Sequence, residues 1–215
     1  MSVSTENAEI SHIFEPALTV FNGLFPEDAI AHAIANQEES TPVLLSYLRH
    51  AITNVETLDQ SYMGHMYALF ILSQFRESMA FPWIVELCKL PYEQQEALLG
   101  DSLTESLAQF IGSTFDGNLS ALKELIENDS IHYYARSQTL CSLFALVNDG
   151  LIDVTIIELY IPLLFEIFTK KADTDGMTML ISFCLDFNAI IYLDEMKKAF
   201  DLKLVNENMI DLKGV

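Results

Sequence analysis

Apolar residues recur at helical spacing along almost the whole chain, and runs of alternating polarity that would mark half-exposed strands are missing. A pattern of that kind commits a chain to helices that pack on one another. Gly and Pro, the residues that interrupt helices, number only eight and six and fall mostly at boundaries. An all-α fold is therefore expected.

Those boundaries divide the chain into about ten helices. Pro26 and Pro42 each follow a turn and precede a helical run, so both are expected at a first turn, where a missing N–H costs nothing. A long helix is expected over 62–75, and Pro82 opens the next. Ser102-x-x-Glu105 has the form of a capping box. Asp116-Gly117-Asn118 reads as a turn. Asp129-Ser130, Asp153 and Asp173 read as caps, and Pro162 predicts a kink or a split in the helix after Asp153. Connections of two to eight residues make successive helices antiparallel neighbours. Hairpins are laid out over 26–54, 62–91, 102–128, 131–169 and 174–205. His65-Met-Tyr-Ala recurs as His132-Tyr-Tyr-Ala, 67 residues on, near twice the period of a helical-hairpin repeat. The predicted architecture is a HEAT-like α-solenoid of about five stacked hairpins. It forms a single domain over 23–205, with a cap over 1–22 and a tail over 206–215.

Composition limits what such a chain can do. Of 215 residues, 51% are apolar, yet 31 acidic side chains oppose 11 basic ones, for a formal charge of −20. Residues 1–122 hold 16 acids and three bases, and residues 123–215 hold 15 and eight. So few cations disfavour phosphate-rich partners, and neither a nucleic acid nor a membrane surface is expected. Cys88, Cys141 and Cys184 lie in apolar helical contexts with no C-x-x-C pair, which predicts buried free thiols and no zinc site. The uncharged stretch 60–75 is 16 residues long, short of the roughly 20 a spanning helix needs. With no basic start or apolar core in the opening residues, a cytosolic protein is expected, export by a specialised system being left open.

Several spaced segments carry a resemblance. They are His65-Met-Tyr-Ala-Leu-Phe-Ile-Leu-Ser-Gln-Phe-Arg-Glu-Ser-Met-Ala, Gly100-Asp-Ser-Leu-Thr-Glu, Phe115-Asp-Gly, Phe25-Pro and Glu39-Ser-Thr-Pro. Over about 20–170 the chain resembles an uncharacterised bacterial family, the domain of unknown function 1186, whose members resemble HEAT-like α-solenoids. Some relatives carry a C-terminal SEC-C zinc module, whose Cys/His cluster this sequence does not contain. The resemblance implies a fold and no activity.

No glycine-rich phosphate loop, nucleophile elbow, zinc-protease helix or calcium loop occurs in the sequence, and no cofactor is expected. At 100° per residue, Tyr62, His65, Leu69, Leu72 and Arg76 share one helix face, and His132 with Arg136 repeats the His/Arg pairing. With Tyr134 these form the candidate binding set: Tyr62, His65, Arg76, His132, Tyr134 and Arg136. The competing expectation is that the two histidines bond neighbouring loops and orient adjacent hairpins. Trp83, Asp101, Asp116 and Gly117 are candidate inter-repeat positions, with an ion pair between the Arg76-Glu77 step and Asp101 also considered. The leading expectation is a non-enzymatic scaffold that binds a protein or peptide along its concave face, a basic partner being one option. The alternatives are a hydrolase or metal-assisted enzyme using His65, His132 and carboxylates, and an acidic mimic that occupies a basic protein.

Overall fold

The computed structural model describes residues 17–187 and 189–210, and among them the fold is all-α. The chain forms two compact units, residues 1–101 with 113–116 and residues 102–112 with 117–215. The division falls inside the span 23–205, and parts of the expected cap and tail lie outside the described residues.

Unit 1 holds α1 (Glu27–Ala35), α2 (Gln37–Thr53), α3 (Gly64–Phe75), α4 (Phe81–Lys89) and α5 (Tyr92–Leu99). The most extensive packing is α2 on α3, which closes a core of Leu44, Leu48, Ala68, Leu69 and Leu72. Gln95 lies fully buried and donates to the carbonyls of Cys88 and Leu90, at 3.0 and 2.6 Å, tying the start of α5 to the end of α4. Among the described residues the β pairing is confined to an isolated antiparallel bridge between Val20 and Tyr62.

Unit 2 holds α6 (Ser102–Glu105), most of α7 (Leu107–Thr114), α8 (Leu119–Glu127), α9 (Tyr133–Asn148), α10 (Val154–Lys171), α11 (Thr174–Asp186) and α12 (Leu193–Asp201). α9 packs on both α8 and α11. The caps follow sequence chemistry. The side chains of Asn118, Asp153 and Asp173 accept from the N–H groups of Ala121, Thr155 and Gly176.

Four expectations are corrected. Pro42 lies inside α2, which begins five residues earlier at Gln37 because Asn36 ends α1 and leads directly into it. Ser102 starts a four-residue helix of its own, separated from α7 by a turn at Ser106. The cap of α9 is His132, whose Nδ1 accepts from Tyr134 N–H, and not Asp129-Ser130. α10 runs through Pro162 without a split. Proline there removes the N–H that would bond the Glu158 carbonyl, and the Tyr192 hydroxyl donates to that oxygen instead, at 3.2 Å.

Candidate functional site

The short pairing of residues 19–21 with 61–63 fixes the entry to α3. Phe21 N–H donates to Ser61 O at 2.8 Å, and Met63 N–H to Thr19 O at 2.9 Å. Tyr62 is thereby laid against the helix start. Its ring stacks on His65, with centroids 5.8 Å apart and 7° between planes, and meets His50 edge-on at 5.3 Å. The Tyr62 hydroxyl donates to Tyr47 O, and burial pushes its pKa up. Gly64 is required here, because a Cβ at that position would stand 2.6 Å from the Tyr62 hydroxyl.

The stripe read from the sequence thus brings Tyr62 and His65 together, and Leu69 and Leu72 continue it into the core. His65 is buried, and its Nε2–H donates to Leu98 O at 2.7 Å, joining α3 to the end of α5. Its Nδ1 is buried without a partner. Burial lowers the pKa of His65, outweighing the bond to Leu98. The ring therefore serves as a structural tie. Arg76 does not join the stripe. The helix ends at Phe75, and Arg76 turns into the left-handed region at φ 55° as an exposed C-cap.

A pH dependence follows from His65. Its folded pKa lies below the unfolded value near 6.5, so at higher pH both states are neutral and its contribution is complete. As pH falls through about 6.5 the unfolded chain takes the proton first, and stability drops until the folded pKa is reached. Thermal unfolding at about pH 7.5 and about pH 5.5 is expected to show a lower midpoint at the acid value. His65→Gln, which keeps a donor for Leu98, is expected to narrow that difference. An unchanged difference would refute the assignment.

In unit 2 the expected His132/Arg136 pair is not a surface patch. His132 caps α9. Arg136 points inward, 1% exposed, the largest fully buried side chain described. Its Nε donates to Ile126 O at 3.0 Å, its two Nη groups reach both oxygens of Asp173 at 3.2 and 2.5 Å, and the guanidinium lies 5.4 Å from the Phe168 ring centroid. Arg136 cannot line an open groove, because all of its chemistry is turned inward. Tyr134 is exposed, in edge contact with Tyr133. Trp83 is half-buried at the start of α4, Asp101 is exposed after Gly100, and Asp116 is exposed before Gly117, whose φ of 97° makes the turn.

Each cysteine is a free thiol. Burial pushes Cys141 up to about 11 and Cys184 up to about 12, so neither ionises near neutral pH. Among the described residues no group of three or more His, Cys, Asp or Glu side chains could hold a metal ion. No helix among them is long and apolar enough to cross a membrane.

The most ligand-like feature lies on the face of α3 opposite its core stripe. Met63, Met66 and Phe70 stand at helical spacing there and meet Phe25 and Ile30 from the start of α1. They line an apolar cleft of about 470 Å³, within the usual range for ligand sites. Phe25 is 73% exposed and Phe70 50%, and Phe21 and Leu24 stand exposed nearby in sequence. Two methionines give the wall an adaptable, polarisable surface. The signal is present in the sequence, since α3 is apolar on more than one face and only one of them can enter the core. Unit 2 has a groove of similar size, about 440 Å³, with Phe165 and Leu202 among alternating Lys and Glu side chains.

Among the described residues, fold and site together define an all-α protein with an apolar cleft. The chain belongs to the family described as protein of unknown function (DUF1186), whose model matches residues 8–215, beyond the segments that carried the resemblance. A protein of Chlamydia trachomatis named "Uncharacterized protein" is 34% identical over 210 residues, 96% of this chain and 82% of its own length. A second of the same name, from Chlamydia muridarum, is 33% identical over 210 residues, 96% of this chain and 83% of its own. No solved structure matches the chain.

Proposed function

We propose that the chain is a non-enzymatic binding protein that holds an apolar segment of another protein in the cleft between α1 and α3. The observation that carries the reading is the pair of phenylalanines, Phe25 largely exposed and Phe70 half-exposed, on either wall of a concave apolar surface. Exposed contiguous apolar surface on a soluble protein marks an interaction site, and aromatic anchors supply much of the energy in such contacts. The role needs unit 1 alone. The histidines proposed for catalysis are already used, His65 as a buried tie and His132 as a helix cap.

The test is affinity capture from native lysate, with the wild-type chain and Phe70→Asp as parallel baits. Phe70 is half-exposed, so the variant is expected to fold, which circular dichroism would check. Proteins recovered by the wild type are expected to fall by about tenfold on the variant, the loss of roughly 1.4 kcal/mol of contact. Equal recovery on both baits would remove the cleft from the function.

A further inference from the structure

The apolar cleft has an acidic neighbour just beyond Gln74. α1 and α3 pack side by side, and the two clefts take residues from these helices and the stretches next to them. Ile30 and Gln74 line the apolar one, while Ala35 and Glu77, five and three residues further on, line the second. That second cleft, about 770 Å³, is lined by Glu38, Glu39 and Glu77 with Asn36 and Pro42, and by no Lys or Arg. At about 1.5 Å per residue the stretch of this seam along α3, Gly64–Phe75, is about 18 Å long. The seam runs from grease to negative charge.

Two physical features favour a cation at the acidic end. Glu38 and Glu39 are exposed, so their charges reach a ligand. They also stand in the first turn of α2, where the helix dipole favours acids. The partial positive charge of that N-terminus is offset by the C-terminus of α1, which ends two residues before α2 begins.

We infer that the occupant of this seam is a protein segment with apolar anchors followed, on one side, by Lys or Arg. The apolar anchors would sit against Phe25, Met66 and Phe70, and the cationic groups against Glu38, Glu39 and Glu77. The inference rests on the binding role proposed above and adds the chemistry of the partner.

Panning a random peptide library, about 16 residues long to span the seam, against the intact chain, with Phe70→Asp as counter-selection, tests it. Enriched peptides are expected to combine apolar residues with a Lys/Arg cluster to one side. Fluorescence anisotropy of the best of them is expected to show binding about tenfold weaker at about 300 mM than at about 50 mM salt. Glu38→Gln, Glu39→Gln and Glu77→Gln combined are expected to cost a similar factor. Glutamine at 77 keeps an oxygen for Met79 N–H, to which Glu77 now bonds at 3.0 Å, so the local turn is preserved. Apolar peptides without basic enrichment, or indifference to the triple variant, would overturn the inference while leaving the cleft reading in place. Basic peptides that bind equally to Phe70→Asp would overturn both. A library that yields no binder, or a self-associating chain that Phe70→Asp turns into a monomer, would overturn the inference as well.

Discussion

Arg136→Ala is expected to lower the stability of unit 2 by about 3–5 kcal/mol, a large fraction of what a domain of this size possesses. The size of the effect comes from what is left behind. Asp173 is itself buried, and without the guanidinium its carboxylate would keep the Gly176 N–H, at 2.8 Å, and the charge of Lys171 as its support. The Ile126 carbonyl at the end of α8 would lose its donor, and Phe168 the cation over its ring. Four elements meet at this one side chain, so the loss should spread across α8, α9, α10 and the start of α11. Chemical denaturation of the variant, with amide exchange over 117–210, measures it. A loss below about 1 kcal/mol would show that the pair is worth no more than a surface contact.

Replacing both partners separates the pair's net value from the damage of breaking it. Arg136→Met with Asp173→Leu is expected to be far less destabilising than Arg136→Ala, because no charge is left unpaired. Gly176→Ala attacks the same cluster by volume. Its Cβ would fall 2.5 Å from the Asp173 Oδ2 and 2.7 Å from the Arg136 Nη2, closer than the pair can accommodate without moving. Acid should act in the same direction. Burial by itself would raise the Asp173 pKa, but the bonds from Arg136 and from Gly176 N–H outweigh it and hold the carboxyl below its ordinary value. A depressed carboxyl contributes fully above the unfolded pKa near 3.9 and loses its contribution as pH falls through the folded one. Unit 2 is therefore expected to soften below about pH 4.

The contrast between Arg136 and Phe70 shows where sequence reading works and where it stops. Period and punctuation locate the helices, because an apolar stripe and a capping side chain are local properties. Asp153 and Asp173 cap the helices whose starts they mark in the sequence. Burial of a charge is a tertiary property. Arg136 lies i+4 from His132 and reads as a surface cation, since its partner Asp173 is 37 residues away and already has a role as a cap. His65 is legible as a tie because a lone histidine on an apolar helix face needs an acceptor. That the acceptor is Leu98 O depends on how α5 folds back. The cleft escapes sequence reading for a different reason: a helix apolar on several faces offers no way to tell the core face from the open one until its neighbours are placed. Pro42 misleads because α2 starts five residues earlier, at Gln37, directly after α1 ends and with no side-chain cap to mark the start.

Phe81→Ala is expected to destabilise unit 1 by about 3–5 kcal/mol. Phe81 is the first residue of α4, 1% exposed, and its ring meets Phe115 edge-on with centroids 5.4 Å apart. Phe115 belongs to residues 113–116, the short stretch that returns to unit 1 after the chain has passed through residues 102–112. Truncation therefore removes core volume at the start of α4 and one of the contacts that fasten the returning stretch. The aromatic geometry adds about 0.5–1.5 kcal/mol to simple burial, which a double-mutant cycle can isolate. Phe81→Leu and Phe115→Leu each keep most of the apolar volume and lose the edge-to-face contact. Their effects are expected to be less than additive by that amount. Full additivity would mean that the two rings contribute volume alone. In that case the return of residues 113–116 to unit 1 would rest on their backbone and on the buried Thr114 rather than on this pair.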